Sequence, residues 1–356
     1  MVKFANFSPD FLTGARHFAC CLIRVVINNF KKDTMDIVWL ILGLGLILFG
    51  ANWLTDGASA MAKKWGVSDL VVGLTVVAFG TSAPELSISI VSAVQGSAPM
   101  AIGNVVGSNI FNVLVIIGVV ALARPVKVGK SIMQNEIPLV ILASLALLAI
   151  GSGPVLGIVG ERVVSRADGI LLLLFFAIFM RYTFSQVKHA PEGDPAELEA
   201  QGKPSMPMWK AVAWSVAGLA ALVYGGDRFV AGASGIALSL GMSEAVVGLT
   251  IVAAGTSLPE LATSLTAAIK GNTGIAVGNV IGSCIFNIFF VLGVTAAITP
   301  LPFGGIGEFD LLVMTGAALL FWLMGWKFGE RVINRWEGGV LLACYVAYVA
   351  VQLANL

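Results

Sequence analysis

Long runs of apolar residues, separated by short polar segments, dominate the chain. Ten such runs are present, at residues 36–55, 68–95, 99–123, 134–153, 166–185, 209–226, 243–269, 273–298, 309–327 and 337–355. Each run is close to the ~20 residues that a helix needs to cross roughly 30 Å of hydrocarbon. The second and seventh runs contain internal Gly and Pro, which interrupt helices. The pattern predicts an all-α membrane protein with ten transmembrane helices, of which the second and seventh are broken.

The sequence contains two copies of one segment. Residues 73–119 align without a gap with residues 248–294, and 25 of the 47 positions are identical. Five predicted spans separate equivalent positions, and because five is odd, the two copies must cross the membrane in opposite directions. We therefore expect two inverted five-helix repeats, at 35–185 and 209–356, joined by a polar linker at 186–208. Inverted repeats give two equivalent ways to open a central site, which favours a transporter working by alternating access.

The distribution of basic residues predicts the orientation in the membrane. Thirteen Lys and Arg residues fall in the odd-numbered loops, whereas the even-numbered loops contain only Arg162, Arg166 and Arg228. Basic residues mark cytoplasmic loops, so the linker should face the cytoplasm and both termini should lie outside. Residues 1–34 oppose this arrangement because they carry five basic residues and lack the features of a signal peptide. We expect the functional chain to begin at Met35, with residues 1–34 a misassigned or disordered N-terminal extension.

Composition narrows the possible partners. Hydrophobic residues make up 58% of the chain and charged residues 12%, against about a quarter charged in soluble proteins. The lipid bilayer is therefore the expected environment. A net charge of +1 without a basic stripe argues against a nucleic-acid partner. The four cysteines form no metal or disulfide pattern, so free thiols are expected.

Each broken helix places oxygen donors at membrane depth. Pro84 lacks an amide hydrogen and crowds the carbonyl of Gly80, so backbone carbonyls should be left unpaired there; Pro259 repeats the effect on Gly255. Such carbonyls are tolerated only where protein buries them or where they line a wet cavity. The side chains beside them are Thr81, Ser82 and Glu85 in the first repeat, and Thr256, Ser257 and Glu260 in the second.

The next helix in each repeat adds a second polar set. Its members are spaced by four and so share one helical face. They are Asn104, Ser108 and Asn112 in the first repeat, and Asn279, Ser283 and Asn287 in the second. Hard oxygen donors of this kind suit Na⁺, Ca²⁺ or Mg²⁺, whereas zinc and copper prefer imidazole and thiolate. Two carboxylates also balance the charge of one divalent cation. A site made only of protein ligands suits Ca²⁺ better than Mg²⁺, because Mg²⁺ loses its bound water reluctantly.

Structural roles are the alternative for several residues. Ser82 to Glu85 reads as a capping box, in which Glu85 would cap the restarted helix. Asn104 and Asn279 could form hydrogen bonds between helices without touching an ion. Cys284 is expected to be a structural thiol. Four acidic residues near span ends are expected to be solvated or interfacial: Asp56, Asp69, Glu136 and Glu244.

The motifs GTSAPE and GTSLPE, followed by GNVVGSNIFN and GNVIGSCIFN, resemble the two alpha-repeats of the calcium/cation antiporter superfamily, particularly prokaryotic sodium/calcium exchangers. The resemblance implies an antiporter in the prokaryotic inner membrane that exports Ca²⁺ against inward Na⁺, with three Na⁺ for one Ca²⁺. The first and sixth spans are implied to slide past a rigid core. The ion ligands that it implies are Thr81, Ser82, Glu85, Ser108 and Asn112, with Thr256, Ser257, Glu260, Ser283 and Asn287, together with backbone oxygens of Ala78 and Ala253.

Departures from the family pattern refine these expectations. Asn287 stands where some relatives, including potassium-coupled ones, carry an aspartate, so we expect no dependence on K⁺. Replacing one Ca²⁺ by three Na⁺ adds one positive charge to the site, so the cycle should be electrogenic. A Ca²⁺/H⁺ antiporter is the alternative, because two protons also neutralise two carboxylates. A cation channel and an intramembrane hydrolase are more distant alternatives. We expect no enzyme activity and no cofactor, and a monomer is the expected form.

Overall fold

The computed structural model describes residues 9–152, 162–188, 206–240, 253–327 and 331–354. Most of the predicted linker at 186–208 lies outside these residues. So do Glu244 and the first part of the seventh predicted span, which begins at residue 243. The domain boundaries predicted from the sequence therefore stay predictions.

Helices make up almost all of the described chain. Those of the first half are α1 (Pro9–Trp65), α2 (Asp69–Val72), α3 (Ala78–Thr81), α4 (Ala83–Val94), α5 (Ala98–Phe111), α6 (Ile117–Ala123), α7 (Ile137–Gly151) and α8 (Arg166–Lys188). Those of the second half are α9 (Met208–Ser239), α10 (Ala253–Thr256), α11 (Leu258–Ile269), α12 (Thr273–Ile285), α13 (Gly293–Ile298), α14 (Glu308–Lys327) and α15 (Arg335–Ala354). Wider π-helical turns lie within or between them, at Gly73–Val77, Asn112–Ile116, Ile132–Glu136 and Phe286–Leu292.

The helices agree with a membrane protein. Among the described residues, eight helices are long and apolar enough to cross a bilayer, and a ninth span is possible if the bent pair Asp69–Thr81 and Ala83–Val94 is counted as one. The first span is longer than the sequence predicts, because α1 continues to Trp65 and ends in the basic pair Lys63 and Lys64. The described part of the chain therefore falls short of the ten predicted spans, and the region of the seventh is incomplete.

Two spans lie at the centre of the protein and carry the most buried helical surface. In the spans Ala98–Ala123 and Thr273–Ile298, 78% of the most apolar stretch is buried inside the protein. The corresponding fraction is 17% for Arg335–Ala354 and 22% for Arg166–Ser185. The outer helices expose their apolar faces, as helices in contact with lipid do, whereas the two central helices pack against protein on nearly all sides. These central helices are the ones that carry the second polar set predicted from the sequence.

Helices α1 and α9 pack closely along a stripe of glycines. Gly43 faces Gly225 and Gly50 faces Gly218, so that a Cβ on Gly50 would lie 2.7 Å from the carbonyl oxygen of Gly218. Gly57 continues the stripe against Ser215. The absence of side chains lets the two backbones approach, which is how small residues stabilise helix pairs in membranes.

Two short strand pairs cross-connect the halves of the chain. Strand β1 (Val126–Lys127) pairs with β4 (Val332–Ile333), and strand β2 (Val163–Val164) pairs with β3 (Leu301–Pro302), both antiparallel. In the repeat alignment β1 corresponds to β3. Each pair therefore joins one strand of the first half to one strand of the second half. This reciprocal pairing is expected of two halves related by a pseudo-twofold axis.

Glu136 differs from the expectation that it is solvated or interfacial. Its side chain is 2% exposed and accepts hydrogen bonds from the hydroxyls of Ser131 at 3.1 Å and Tyr182 at 3.2 Å. Proximity to a span end did not keep this carboxylate in water, because the end of α8 and the turn at Ser131 cover it. Asp56, in contrast, is partly exposed and pairs with Lys270 at 2.7 Å.

Candidate cation-binding site

The first polar set lies where each broken helix restarts. Helix α3 ends at Thr81 and α4 begins at Ala83, with a bend of 41° between the two segments. Ser82 between them has φ −83° and ψ 5°, and Ser257 in the second repeat has φ −90° and ψ 6°. In each repeat the proline occupies the first turn of the new helix, where its missing amide hydrogen is tolerated. Ser257 thus adopts nearly the same backbone conformation as Ser82.

The capping box, which was the structural alternative for Ser82 and Glu85, does not form. Neither Ser82 nor Ser257 caps its helix with its side chain. Both carboxylate oxygens of Glu85 lack a hydrogen-bond donor, and both Glu85 and Glu260 are 0% exposed. Capping therefore does not account for these buried carboxylates.

Each glutamate faces the hydroxyls of the opposite repeat. Glu260 accepts from Ser82 at 3.3 Å, and Thr81 lies beside it. Glu85 correspondingly lies beside Thr256 and Ser257. The sequence suggests one donor set in each repeat, but in the structure each carboxylate is surrounded mainly by the broken helix of the other repeat.

The central helices complete the surroundings of each carboxylate. Ser283 donates to Glu260 at 3.5 Å, and Ser108 lies beside Glu85 without forming a hydrogen bond of normal geometry. Both carboxylates are fully buried in the same core, and Ser82, three residues before Glu85, donates to Glu260. Bringing two like charges together in a buried space is unfavourable unless a positive charge compensates them.

Asn104 and Asn279 connect helices, in agreement with the structural alternative for them. Asn279 donates to the carbonyl of Glu260 at 3.3 Å and to the hydroxyl of Ser264 at 3.0 Å, and its side-chain oxygen accepts from Thr81 at 3.0 Å. Asn104 repeats this arrangement with the residues of the other helices. Both asparagines therefore face the site while their polar atoms are engaged by protein.

The remaining asparagines lie where the central helices widen into π-helical turns. Asn112 begins one such turn and Asn287 lies at the second position of another. A π-turn rotates the residues that follow it relative to an α-helix, and such turns are frequent at functional sites. Asn112 is fully buried, and neither its amide nitrogen nor its oxygen has a hydrogen-bond partner. Asn287 uses its nitrogen but leaves its oxygen without a donor.

Asn109 is a site neighbour that sequence reasoning missed. Its oxygen accepts from Asn287 at 3.3 Å, and its nitrogen lies 3.5 Å from the carbonyl oxygen of Cys284. Asn109 and Cys284 are equivalent positions in the two sequence repeats, so the contact joins equivalent positions of the two halves. The signal was present in the sequence as an asparagine opposite a cysteine, but the four-residue spacing excluded both from the predicted face.

Thr263 is a second neighbour without a role in the sequence analysis. It is fully buried, its hydroxyl lacks a partner, and it follows Glu260 by three residues on the same face of α11. Ile88 occupies the equivalent position of the first repeat. The second repeat therefore contributes one polar group that the first does not.

Ala78 and Ala253 are the two residues expected to contribute backbone carbonyl oxygens. Ala78 is fully buried, and its carbonyl accepts the amide hydrogen of Ser82 at 3.0 Å, which leaves one lone pair of that oxygen free of a backbone donor. Ala253 is the first residue of α10.

Buried polar atoms without partners concentrate at this site. Of fourteen such side-chain atoms in the described part of the chain, nine belong to the site or its neighbours: both Glu85 oxygens, one Glu260 oxygen, the hydroxyls of Ser108, Ser257 and Thr263, both polar atoms of Asn112, and the Asn287 oxygen. Buried polar groups are normally hydrogen-bonded, so a cluster of unpartnered ones calls for a ligand. Eight of the nine are oxygens, which is the donor chemistry of Na⁺ and Ca²⁺.

Across the described residues, no three Asp, Glu, His or Cys side chains come together as a metal cluster. The charge of the site therefore comes from two glutamates, and its other donors are neutral. A site of this kind balances one divalent cation and offers hydroxyl and amide oxygens to complete its coordination.

A family model described as sodium/calcium exchanger protein matches residues 35–185 and 210–354. Among curated proteins, a putative antiporter CaxA from Alkalimonas amylolytica is 41% identical over 318 residues, covering 87% of this chain and 96% of that protein. The sodium/calcium exchanger MaX1 from Methanosarcina acetivorans is 34% identical over 349 residues, covering 89% of this chain and 98% of that protein.

A solved structure of the sodium-calcium exchanger NCX_Mj, soaked with Na⁺ and Ca²⁺, superposes with a TM-score of 0.73 at 32% sequence identity. The match covers 88% of this chain and 97% of that one. The similarity thus extends over nearly the whole length of both molecules and agrees with the resemblance inferred from the motifs.

Proposed function

The chain belongs to the sodium/calcium exchanger family, and on this premise we propose that it exchanges Ca²⁺ for Na⁺ across the membrane by alternating access, independently of K⁺. The observation that carries the proposal is the pair of fully buried glutamates, Glu85 and Glu260, whose oxygens are incompletely satisfied by protein. A bare carboxylate in such surroundings is costly, so cations are needed to compensate the pair.

The proposed ligands form two groups, each of which combines the glutamate of one repeat with hydroxyls from the broken helix of the other repeat. One group contains Glu85 with the hydroxyls of Thr256, Ser257 and Ser108, and the other contains Glu260 with those of Thr81, Ser82 and Ser283. Further ligands are the side chains of Asn112 and Asn287 and the carbonyls of Ala78 and Ala253. Ca²⁺ takes six to eight oxygens at about 2.3–2.6 Å, and this set supplies enough donors for it.

Competition between the two ions provides the coupling. One Ca²⁺ neutralises the two carboxylates, whereas three Na⁺ leave the site with one additional positive charge. Moving that charge across the membrane makes the cycle electrogenic, with a free energy of about 2.3 kcal/mol per 100 mV. An empty site retains two uncompensated carboxylates, and this penalty disfavours conformational change without an ion.

The inverted repeat supplies the conformational change in this proposal. Ten spans in two five-helix repeats, with breaks in the second and seventh, give two related ways to open the centre. The crossed strand pairs and the crossed glutamate environments support that symmetry. The excess of basic residues in the odd-numbered loops supports an orientation with both termini outside and the linker in the cytoplasm, and the location that we propose is a prokaryotic inner membrane.

Protons are the alternative coupling ion, because two of them neutralise the carboxylates as one Ca²⁺ does. The neutral hydroxyl and amide oxygens favour Na⁺, since protonation of two glutamates would leave these donors without an ion. A proton-coupled exchanger would respond to a pH gradient in the absence of Na⁺.

The test is uptake of radioactive Ca²⁺ by proteoliposomes containing the full chain. We expect vesicles loaded with Na⁺ to accumulate Ca²⁺, and vesicles with only a proton gradient to remain near the background. Glu85→Gln and Glu260→Gln should each reduce uptake to background while leaving the protein folded. Normal transport in both variants would show that the site is elsewhere, and Ca²⁺ flux without any counter-ion would indicate a channel.

A further inference from the structure

The amide side chains of Asn104 and Asn279 lie between the two broken helices. We propose that these asparagines are positioning residues: Asn279 orients the hydroxyl hydrogen of Thr81, which keeps the lone pairs of that oxygen and a neighbouring carbonyl available to a cation, and Asn104 takes the equivalent position beside Thr256. The proposal rests on the proposed function, because it assigns roles within the same cation site.

The orientation of the Asn279 amide is fixed by its surroundings. Its nitrogen donates to the backbone carbonyl of Glu260 at 3.3 Å and to the hydroxyl of Ser264 at 3.0 Å. A backbone carbonyl can only accept a hydrogen bond, so the nitrogen must face Glu260 and the side-chain oxygen must face the other way. That oxygen then points at Thr81 of the opposite repeat.

Thr81 has one hydroxyl hydrogen, and besides the neighbouring Glu260 carboxylate three acceptors lie within reach. The oxygen of Asn279 is at 3.0 Å, the carbonyl of Val77 at 3.1 Å and the carbonyl of Ala78 at 3.4 Å. When the hydrogen goes to Asn279, the lone pairs of the Thr81 oxygen face away from that contact and are free to bind a cation. When the hydrogen goes to Ala78 instead, the Thr81 hydroxyl occupies the Ala78 carbonyl oxygen, which is itself a proposed ligand.

The direction of the Thr81 hydroxyl hydrogen determines whether the Ala78 carbonyl can bind a cation. One of its lone pairs already accepts the amide hydrogen of Ser82 at 3.0 Å. Only the second lone pair remains for a cation, and a hydrogen bond from Thr81 would occupy it. By accepting the Thr81 hydrogen, Asn279 keeps two oxygen ligands available at once.

The first repeat contains the same arrangement. Asn104 donates to the carbonyl of Glu85 at 3.3 Å and to the hydroxyl of Ser89 at 3.2 Å, and its oxygen accepts from Thr256 at 3.5 Å. The geometry therefore occurs twice, each time linking a glutamate-bearing helix to the threonine of the opposite repeat. Ser89 and Ser264, which nothing in the sequence motifs singles out, act as supporting acceptors for the two amides.

The experiment measures Ca²⁺ uptake against Ca²⁺ concentration in proteoliposomes containing the full chain with Asn279→Ala, Thr81→Val, both changes, or Thr81→Ser. We expect Asn279→Ala to raise the KM for Ca²⁺ about two- to tenfold, the effect of one hydrogen bond, with a smaller change in maximal rate. In the Thr81→Val background, which has no hydroxyl to orient, Asn279→Ala should cause little further loss. Thr81→Ser keeps a hydroxyl to orient, so adding Asn279→Ala in that background should raise KM by as much as it does in the wild type.

A purely structural role would produce a different pattern. The proposal is overturned if Asn279→Ala lowers the unfolding temperature but leaves KM unchanged, or if its effect on KM is the same with and without the Thr81 hydroxyl. If Asn279→Ala does not fold, Asn104→Ala with Thr256→Val provides the same cycle in the other repeat. Wild-type protein that transports no Ca²⁺ against Na⁺ would overturn the proposed function itself, which separates the two outcomes.

Discussion

Individual glutamates in this protein are distinguished by how completely protein donors satisfy them. Glu337 is fully buried, and one of its oxygens accepts the amide hydrogen of Asn334 at 2.6 Å at the start of α15. Glu136 is buried and accepts from two hydroxyls. Glu85 has neither a capping bond nor a hydroxyl donor of normal geometry. The second oxygen of Glu337 also lacks a partner, so what distinguishes Glu85 from Glu136 and Glu337 is that neither of its carboxylate oxygens has one.

Glu136→Gln tests this distinction at a single residue. The amide has one acceptor oxygen instead of two and no charge, so the second Ser131 contact at 3.4 Å is lost and the remaining hydrogen bonds weaken; we expect a loss of about 1–3 kcal/mol in the free energy of unfolding. The KM for Ca²⁺ should remain within twofold of wild type, because the residue is satisfied by Ser131 and Tyr182. Thermal unfolding and uptake assays on the same preparation measure both quantities.

Tyr182→Phe is the companion variant for this prediction. It removes one donor to Glu136 without changing the carboxylate, so we expect a smaller loss of stability in the same direction. A large change in Ca²⁺ affinity in either variant would contradict a structural role and would place Glu136 on the ion pathway.

Among the helices, the close pairing of α1 and α9 depends on the absence of side chains at their contact. A Cβ on Gly50 would lie 2.7 Å from the carbonyl oxygen of Gly218 and 2.9 Å from the amide nitrogen of Leu222. Both of these are backbone atoms, which cannot move aside as the end of a flexible side chain can. The helices must therefore separate if any larger residue replaces this glycine.

Gly50→Val should disrupt this helix pair. We expect a marked fall in the yield of folded, monodisperse protein, because overpacking costs about 1–3 kcal/mol or more and here meets backbone. Gly45→Ala in the same helix is the matched control, since a Cβ there meets nothing within 4 Å. Size-exclusion profiles and unfolding temperatures of the two variants provide the comparison, and equal behaviour would show that the contact is not tight in the membrane.

For the molecule as a whole, the two repeats are similar but not identical in how they hold α1 and α9. Lys270, directly after α11, pairs with Asp56 of α1 at 2.7 Å and also donates to the carbonyl of Asn52 at 3.3 Å. Gln95 and Ala231 occupy the equivalent positions in the other half, so the sequence cannot form the same ion pair there. This pair ties the first span to the helix that carries Glu260 on one side of the molecule only.

Lys270→Met should shift the balance between the two orientations of the transport site. The pair is partly exposed, and such pairs contribute about 0.2–1 kcal/mol, so we expect a change of up to about fivefold in the ratio of Ca²⁺ affinities measured from the two sides of the membrane. The charge-swapped double variant Asp56→Lys with Lys270→Asp should restore the wild-type ratio. Gln95→Met is the control in the other repeat, and an equal effect there would refute a specific role for the ion pair.

Much of the architecture follows from the sequence for a physical reason. The hydrocarbon thickness fixes the length of apolar runs, so helical spans and their membrane location can be read from composition and spacing. The repeated motifs identified the family, which the matches along 35–185 and 210–354 confirm. Proline chemistry located the break near Pro84, where the two segments meet at 41°.

Other features could not be read from the chain. Glu136 was expected near water because it lies close to a span end, yet the end of α8 covers it. Asn109 was not among the predicted site residues, since it lies one residue beyond Ser108 and off the predicted polar face, although it contacts Asn287 across the repeats. In each case the deciding neighbour belongs to a helix far away in sequence.

The sequence by itself determined which chemical groups this protein carries into the membrane: two glutamates, their hydroxyl neighbours and the repeated asparagines. Only the tertiary structure decided how these groups are paired, with Ser82 next to Glu260 and Asn279 next to Thr81. Helical periodicity specifies which residues share a face of one helix. It contains no information about which helix of the other repeat that face meets, because this depends on how the helices cross.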